Sequence, residues 1–378
     1  MAALTMPLPS AGASPSWSFG WPRSNPGEAA RIARHLAEAG IAPEAFRAAV
    51  LRRLLREDAA LARGIAAYRA HPHRRTLPDP PVIWREGSAR LLDYGGSGTP
   101  VLFVPSLVNR AHVLDLDEGA SLVRFLAGEG VRPLLLDWGW PEAVERGMNL
   151  ADHVAGRLER ALLALPGPVV LAGYCMGGLL ALAAALRRPD RVTALALLAT
   201  PWDFHADPQA EELARALPAL EAQMQPTGAL PVDAIQGLFA LLDPFTLADK
   251  FRTFGRLEQD GARARRFVVL EDWLNDGVPL PAPVAREAIG GWYGANAPAR
   301  GEWRIAGLPV RPQDWTKPAF LAVPSRDRIV PPASARALAA ALPDARVHEA
   351  RAGHIGMVAG QSAETVLWRP MLDWLRSR

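Results

Sequence analysis

The one cysteine of this chain, Cys175, sits in Gly173-Tyr174-Cys175-Met176-Gly177-Gly178. An apolar run, Pro168-Val169-Val170-Leu171-Ala172, leads in, and a helix-forming run, Leu179 to Leu186, leads out. Strand, sharp turn and helix in this order make a nucleophile elbow of the G-x-S-x-G kind, with sulfur in place of the serine oxygen. Its glycines are expected to serve the unusual backbone angles of the turn and the close passage of the helix over the strand. The turn lifts the nucleophile to the top of a sheet. The N–H of the next residue, Met176, then faces the oxyanion that forms on attack. The plainer alternative is a small buried cysteine in a βα unit, and the residues downstream decide against it.

Bulk properties narrow the field. At 378 residues the chain can bury a large core. A net charge of +3 is small for this length, and the basic residues are scattered, so nucleic acid is not an expected partner. Lys250 and Lys317 are the only lysines, the remaining positive charge being arginine. A single cysteine excludes an intramolecular disulfide and a cysteine-based zinc site. His112, His153 and His205 do not form a metal-binding spacing, so no metal is expected. Gly95-Gly96-Ser97-Gly98 lacks the Lys-Ser/Thr and the strand–helix context of a phosphate loop. Residues 1–9 lack the charged start of a signal peptide, and no apolar run is long enough for a membrane span. A cytoplasmic setting, which keeps thiols reduced, suits a working thiolate.

Composition and periodicity divide the chain. Residues 1–26, rich in Pro, Ser and Gly, read as a disordered tail. Residues 27–83 read as a helical segment with a proline-rich linker; one helix ends near Gly40 and another runs from Pro43 to about Tyr68. In the second, Phe46, Val50, Leu54, Leu61 and Ile65 form a stripe expected to pack on the chain's own core. Strands then alternate with helices: short apolar runs at 101–104, 131–136, 168–172, 192–198 and 319–323, and a last strand at 345–350. Continuous apolar strands between helices indicate a mostly parallel sheet flanked by helices on both faces. Residues 84–201 and 316–378 form this α/β core. Residues 202–315, helical and rich in tryptophan, read as a cap inserted after the strand that follows the elbow. Its Trp202, Trp273, Trp292, Trp303 and Trp315 line a dry channel or build a second small core.

A cysteine nucleophile needs a base to hold it as thiolate and a carboxylate to orient the base. In the α/β-hydrolase order these follow as nucleophile, acid, histidine. Asp327, just past the strand after the cap, fits the acid, and His354, after the last strand and flanked by glycines in Gly353-His354-Ile355-Gly356, fits the base. The second oxyanion donor belongs to the loop after an early strand, Pro105 to Arg110. There the N–H of Val108, or of its neighbour Leu107, is the candidate, with Asn109 placed to pin the loop or simply to turn it.

These motifs together resemble the polyhydroxyalkanoate (PHA) synthase family. Val104-Pro105-Ser106-Leu107-Val108-Asn109-Arg110, then Val113-Leu114-Asp115-Leu116 and Ser121-Leu122-Val123-Arg124, is similar to that family's V-P-P-x-I-N-K, I-L-D-L and S-L-V-R. Asp137-Trp138-Gly139-Trp140-Pro141 resembles its S-W-R-N-P, and Thr200-Pro201-Trp202-Asp203-Phe204 its T-x-x-D-F. Trp273-Leu274-Asn275-Asp276 and Tyr293-Gly294-Ala295-Asn296 are similar to its cap motifs W-N-x-D and Y-x-x-N. The likeness covers about 85–360 in order. Two positions depart: Arg328 stands where the family has histidine, and Ser106 replaces a proline. The length is nearer the synthases that work with a second subunit, whereas Tyr174 resembles the longer, single-subunit type. The box around Cys175 also resembles that of dienelactone hydrolase.

The resemblance implies an α/β-hydrolase fold and an acyltransferase that polymerises 3-hydroxyacyl-coenzyme A through an acyl thioester on Cys175. Its triad is Cys175, Asp327 and His354, with Met176 and Val108 as oxyanion donors. It implies a coenzyme A thioester as substrate, no bound cofactor, and a growing polyester chain as partner. A second copy of the chain and a second synthase subunit both stay open as protein partners, as does work at a polyester granule surface in the cytoplasm. The rival activity is hydrolysis by the same triad, as esterase, thioesterase or intracellular polyester depolymerase, because the first half-reaction is shared. A non-catalytic granule protein is the remaining alternative, and retention of all three triad residues speaks against it.

Overall fold

The computed structural model describes residues 26–206, 210–242 and 244–378. The expected N-terminal tail lies, but for Pro26, outside the described residues. The chain divides into two compact units, residues 1–62 and 63–378. The first carries the helix Pro26–Glu38 and the start of a long helix, Pro43–Ala70. Phe46, Val50 and Leu54 are 37%, 41% and 52% exposed. Toward the other end of the helix, Leu61 and Ile65 are half-buried.

The second unit is built on an eight-stranded sheet. Its strands are β1 (Val82–Glu86), β2 (Ala89–Asp93), β3 (Pro100–Val104), β4 (Arg132–Asp137), β5 (Val169–Tyr174), β6 (Val192–Leu198), β7 (Ala319–Pro324) and β8 (Ala345–Ala350). Their order is β1-β2-β4-β3-β5-β6-β7-β8. β1 and β2 pair antiparallel, as do β2 and β4, and every other neighbour is parallel. Six strands fall where the sequence places them. The β1–β2 hairpin does not announce itself in the sequence. Val82-Ile83-Trp84-Arg85-Glu86 is an edge strand, largely open to solvent, so its composition lacks the apolar continuity of the others.

β3, β5 and β7 are buried almost throughout. One side of the sheet meets the elbow helix, Met176–Arg187, which is itself buried from Met176 to Ala185. The other meets the C-terminal helix Arg369–Arg376, where Trp374 is fully buried against Phe320 of β7. Between β6 and β7 the chain runs through a mostly helical stretch. It includes the helices Leu217–Met224, Val232–Leu242 and Ala262–Asn275 and a π-helix, Glu287–Gly294. Trp202, Trp273, Trp292, Trp303 and Trp315 are all buried. Four of them join the same apolar cluster as the elbow helix, and Trp273 joins the one on the opposite side of the sheet. These tryptophans are therefore core, continuous with the core of the α/β unit.

Candidate active site

The site is assembled at the C-terminal ends of β3, β5, β7 and β8. Cys175 follows β5 directly and holds φ 56° and ψ −129°. That conformation is costly for any residue but glycine, and it is retained because the turn aims the thiol away from the strand. The sequence expectation put the unusual angles on the glycines; the structure puts them on the nucleophile. The glycines serve contact. A Cβ on Gly173 would come within 2.4 Å of the Gly178 Cα, and one on Gly178 within 1.9 Å of the Thr200 Oγ1. The helix can cross the strand this closely only without side chains there.

Asp327 lies just past β7 and is buried. Its Oδ1 accepts the Ile329 and Val330 N–H groups at 2.8 and 2.9 Å, which fixes the carboxylate plane. Its Oδ2 is 2.7 Å from Nδ1 of His354. His354 is also buried, and it is the first residue of the helix His354–Ala359 rather than the middle of a loop. The Tyr174 ring lies 5.1 Å from the imidazole, tilted by 35°. Burial disfavours the charged imidazole. The negative charge of Cys175, then that of Asp327, and hydrogen bonds to both outweigh it and push His354 up to about 10. The structure thus brings Cys175, His354 and Asp327, far apart in sequence, together.

Met176 opens the elbow helix, so its N–H is among the first-turn donors that lack an intrahelical acceptor. The Val108 N–H is differently placed from its expectation: it donates to Ser106 Oγ at 3.1 Å. The loop is pinned through its backbone. Asn109 bridges Gly277, and the Val278 N–H donates to the Val108 carbonyl at 3.3 Å. Trp138 Nε1 further donates to the Pro105 carbonyl at 3.1 Å. Tyr293, of the Y-x-x-N motif, is a further group packed near Cys175. Burial and the charge of Cys175 both raise its phenol, so the hydroxyl stays protonated beside the nucleophile. Among the described residues no cluster of three or more His, Cys, Asp or Glu side chains is arranged to hold a metal. His153 instead hydrogen-bonds the Asn149 carbonyl, and His205 the Tyr293 carbonyl. No helix among them is long and apolar enough to cross a membrane.

The sheet order, the elbow and the acid and histidine on successive strand ends define an α/β hydrolase. The family model described as the alpha/beta hydrolase fold matches residues 99–360. More narrowly, the chain belongs to the polyhydroxyalkanoate synthase family of α/β-hydrolase enzymes. It is 30% identical over 295 residues to the poly(3-hydroxyalkanoate) polymerase subunit PhaC of a Synechocystis species, covering 74% of this chain and 78% of that one. To the subunit of the same name from Allochromatium vinosum it is 28% identical, over 74% of this chain and 81% of the other. The Haloferax mediterranei subunit is 27% identical over 79% of this chain, which spans 63% of that relative's length.

Proposed function

We propose that this protein is a PHA synthase that polymerises 3-hydroxyacyl units delivered as coenzyme A thioesters. The observation that carries the reading is the buried His354–Asp327 pair set against a cysteine, not a serine, on the elbow. Cys175 and His354 form a thiolate–imidazolium pair. The thiolate attacks the substrate's thioester carbon, and the oxyanion is held by the N–H of Met176 and by that of Val108 once it leaves Ser106. The bond from carbon to the coenzyme sulfur breaks, and His354 gives its proton to the departing thiolate. The acyl group stays on Cys175. One thioester is exchanged for another, so the acyl-enzyme is not an energetic sink.

Acylation also removes the charge that raised His354 most. Burial then favours the neutral imidazole, which is the form needed as a base. His354 takes the proton from the 3-hydroxyl of a second hydroxyacyl group. The new alkoxide attacks the acyl carbon, an ester forms, the bond to Cys175 breaks, and the thiolate–imidazolium pair returns. Water would be accepted by the same geometry. The aromatic core around the site, with Trp202, Trp292, Trp303 and Phe204, favours an alcohol delivered from a dry surface.

The substrate is 3-hydroxyacyl-coenzyme A, and the second substrate is the polyester chain itself. The word "subunit" in the relatives' names supports a partner subunit here too. Cytoplasmic work at a granule surface accords with the reaction. The test is incubation of the purified protein with 3-hydroxybutyryl-coenzyme A, following coenzyme A release and insoluble polymer together. Polymer in proportion to coenzyme A supports the synthase. Stoichiometric 3-hydroxybutyrate with no polymer overturns it in favour of a thioesterase.

A further inference from the structure

Asp203 and Asn296 belong to two motifs that the chemistry above does not use, and the structure joins them. Asn296 Nδ2 donates to Asp203 Oδ1 at 2.8 Å, and Asn296 Oδ1 accepts the Phe204 N–H at 3.0 Å. The same carboxylate oxygen accepts the His205 N–H at 3.0 Å, while His205 Nε2 lies 2.9 Å from the Tyr293 carbonyl oxygen. Asn296 is buried and holds φ 51°, a left-handed conformation that asparagine tolerates better than most residues. Its side chain and its backbone are therefore both specified.

The segment these bonds grip is fixed to the catalytic core on its other sides. The Trp202 N–H donates to Ser334 Oγ at 3.0 Å, in the helix Pro332–Ala341 that follows the Asp327 loop. Thr200 abuts Gly178 of the elbow helix. Residues 200–206 thus form a shelf tied to both the nucleophile and the acid. What Asn296 fastens to that shelf is the end of the π-helix Glu287–Gly294, with Trp292 and Tyr293. The Phe204 ring of the shelf lies 4.8 Å from the Tyr293 ring and 5.7 Å from that of Trp292. Tyr293 and Cys175 both pack against the apolar cluster that holds Phe204 and Trp292.

We propose that the Asp203–Asn296 pair is a latch that registers the cap over the nucleophile. Asn296 is then a positioning residue, and its task is to keep water from the acyl group on Cys175 while the acceptor hydroxyl is delivered. The proposal rests on the acyl-transfer reading. Its logic is local. Removing the Asn296 amide leaves the Phe204 N–H without its acceptor and the Asp203 carboxylate with only the His205 N–H of its two donors described above. The Tyr293 end of the π-helix loses its tie to the shelf, and the aromatic seal beside Cys175 loosens.

The measurement is the ratio of free 3-hydroxybutyrate to polymer per coenzyme A released, with the melting temperature recorded alongside. Asn296→Ala is expected to raise that ratio about tenfold or more, with a much smaller change in coenzyme A release. Asn296→Asp keeps the acceptor for Phe204 but sets two carboxylates together, and it should leak likewise. The exchange Asp203→Asn with Asn296→Asp restores one donor and one acceptor and should return the ratio toward wild type. An unchanged ratio in folded Asn296→Ala and Asn296→Asp overturns the latch. Should Asn296→Ala not fold, the single and exchanged Asp variants decide in the same way. If the wild-type protein makes hydroxy acid only, the synthase reading fails separately. The latch is then judged by the lifetime of the Cys175 acyl mass, which must shorten in the variants, and an equal lifetime overturns it.

Discussion

Nδ1 of His354 lies 2.7 Å from Oδ2 of Asp327, and the other carboxylate oxygen is held by the Ile329 and Val330 N–H groups. The carboxylate cannot rotate away, so it dictates which imidazole nitrogen carries the fixed proton and leaves the other for Cys175. In Asp327→Asn the backbone N–H donors still need an acceptor. The amide satisfies them with its oxygen and turns its NH2 toward Nδ1, which selects the wrong tautomer. Turnover should fall by roughly 10³–10⁴-fold with little change in melting temperature. Steady-state coenzyme A release and a thermal melt check both halves. A harmless substitution would remove Asp327 from the triad.

The raised His354 also makes a prediction about stability and pH. Its value moves from 6.5 to about 10 on folding. A group raised in this way stabilises the fold fully below its unfolded value and ceases to do so as the pH passes its folded one. The stabilisation is therefore complete below about pH 6.5 and lost as the pH rises through about 10. The melting temperature of wild type relative to His354→Gln should decline across that window. A constant difference from pH 6 to pH 10 would show that the imidazole is not charged in the resting protein.

Much of this was legible in the sequence, for physical reasons that differ by element. β3 to β8 could be read because most are buried and continuously apolar, and the triad because each member ends a strand in a fixed chain order. The β1–β2 hairpin could not, since its exposed edge strand mixes Trp84 with Arg85 and Glu86. Nor could the hydrogen bond from the Val108 N–H to Ser106 Oγ, which depends on the backbone geometry of the loop and not on the residue types of its motif. The role of the tryptophans stayed undecided because composition says that they are buried without saying in which core. The latch residues were visible as letters, but their contact spans 93 positions.

Asp115 is the buried hub of the region around β2 and the 71–81 segment, at 1% exposure. Arg124 donates to both of its oxygens, and Ser121 and Tyr94 hydroxyls and Arg75 complete its shell. Asp115→Ala strands two guanidinium groups and two hydroxyls at once. Because Arg124 and Arg75 are partly solvated, at 33% and 24% side-chain exposure, the loss should sit near the low end for a broken buried pair, about 3 kcal/mol. Urea unfolding reads it directly. A change within experimental error would mean that the arginines find water as good a partner.

Ser106 Oγ accepts the Val108 N–H, the group that the proposed mechanism uses as its second oxyanion donor. Ser106→Ala frees that donor and removes a competitor, so turnover is expected to hold or rise modestly, by no more than about fivefold for a single neutral hydrogen bond. The check is kcat with 3-hydroxybutyryl-coenzyme A at saturation. A fall of two orders of magnitude would instead make the Ser106 hydroxyl part of the loop geometry that catalysis depends on.

Sulfur at position 175 is itself testable. A serine hydroxyl keeps the elbow, which is set by Gly173, Gly178 and the packing of the elbow helix, so Cys175→Ser should fold normally. It removes the thiolate, the largest of the causes that raise His354, and burial then favours the neutral ring. His354 would have to deprotonate an alcohol in the same step as attack, and the product would be an oxygen ester. Transfer from coenzyme A to oxygen runs downhill, so the acyl-enzyme becomes a sink rather than a carrier. We expect coenzyme A release to drop by about 10²–10⁴-fold, the general-base contribution now demanded of a step that a preformed thiolate does not need. Any acyl-enzyme that forms should persist, visible by intact mass after a single addition of substrate. A Ser variant that polymerises at the wild-type rate would show that the sulfur is incidental and that an oxygen nucleophile suffices.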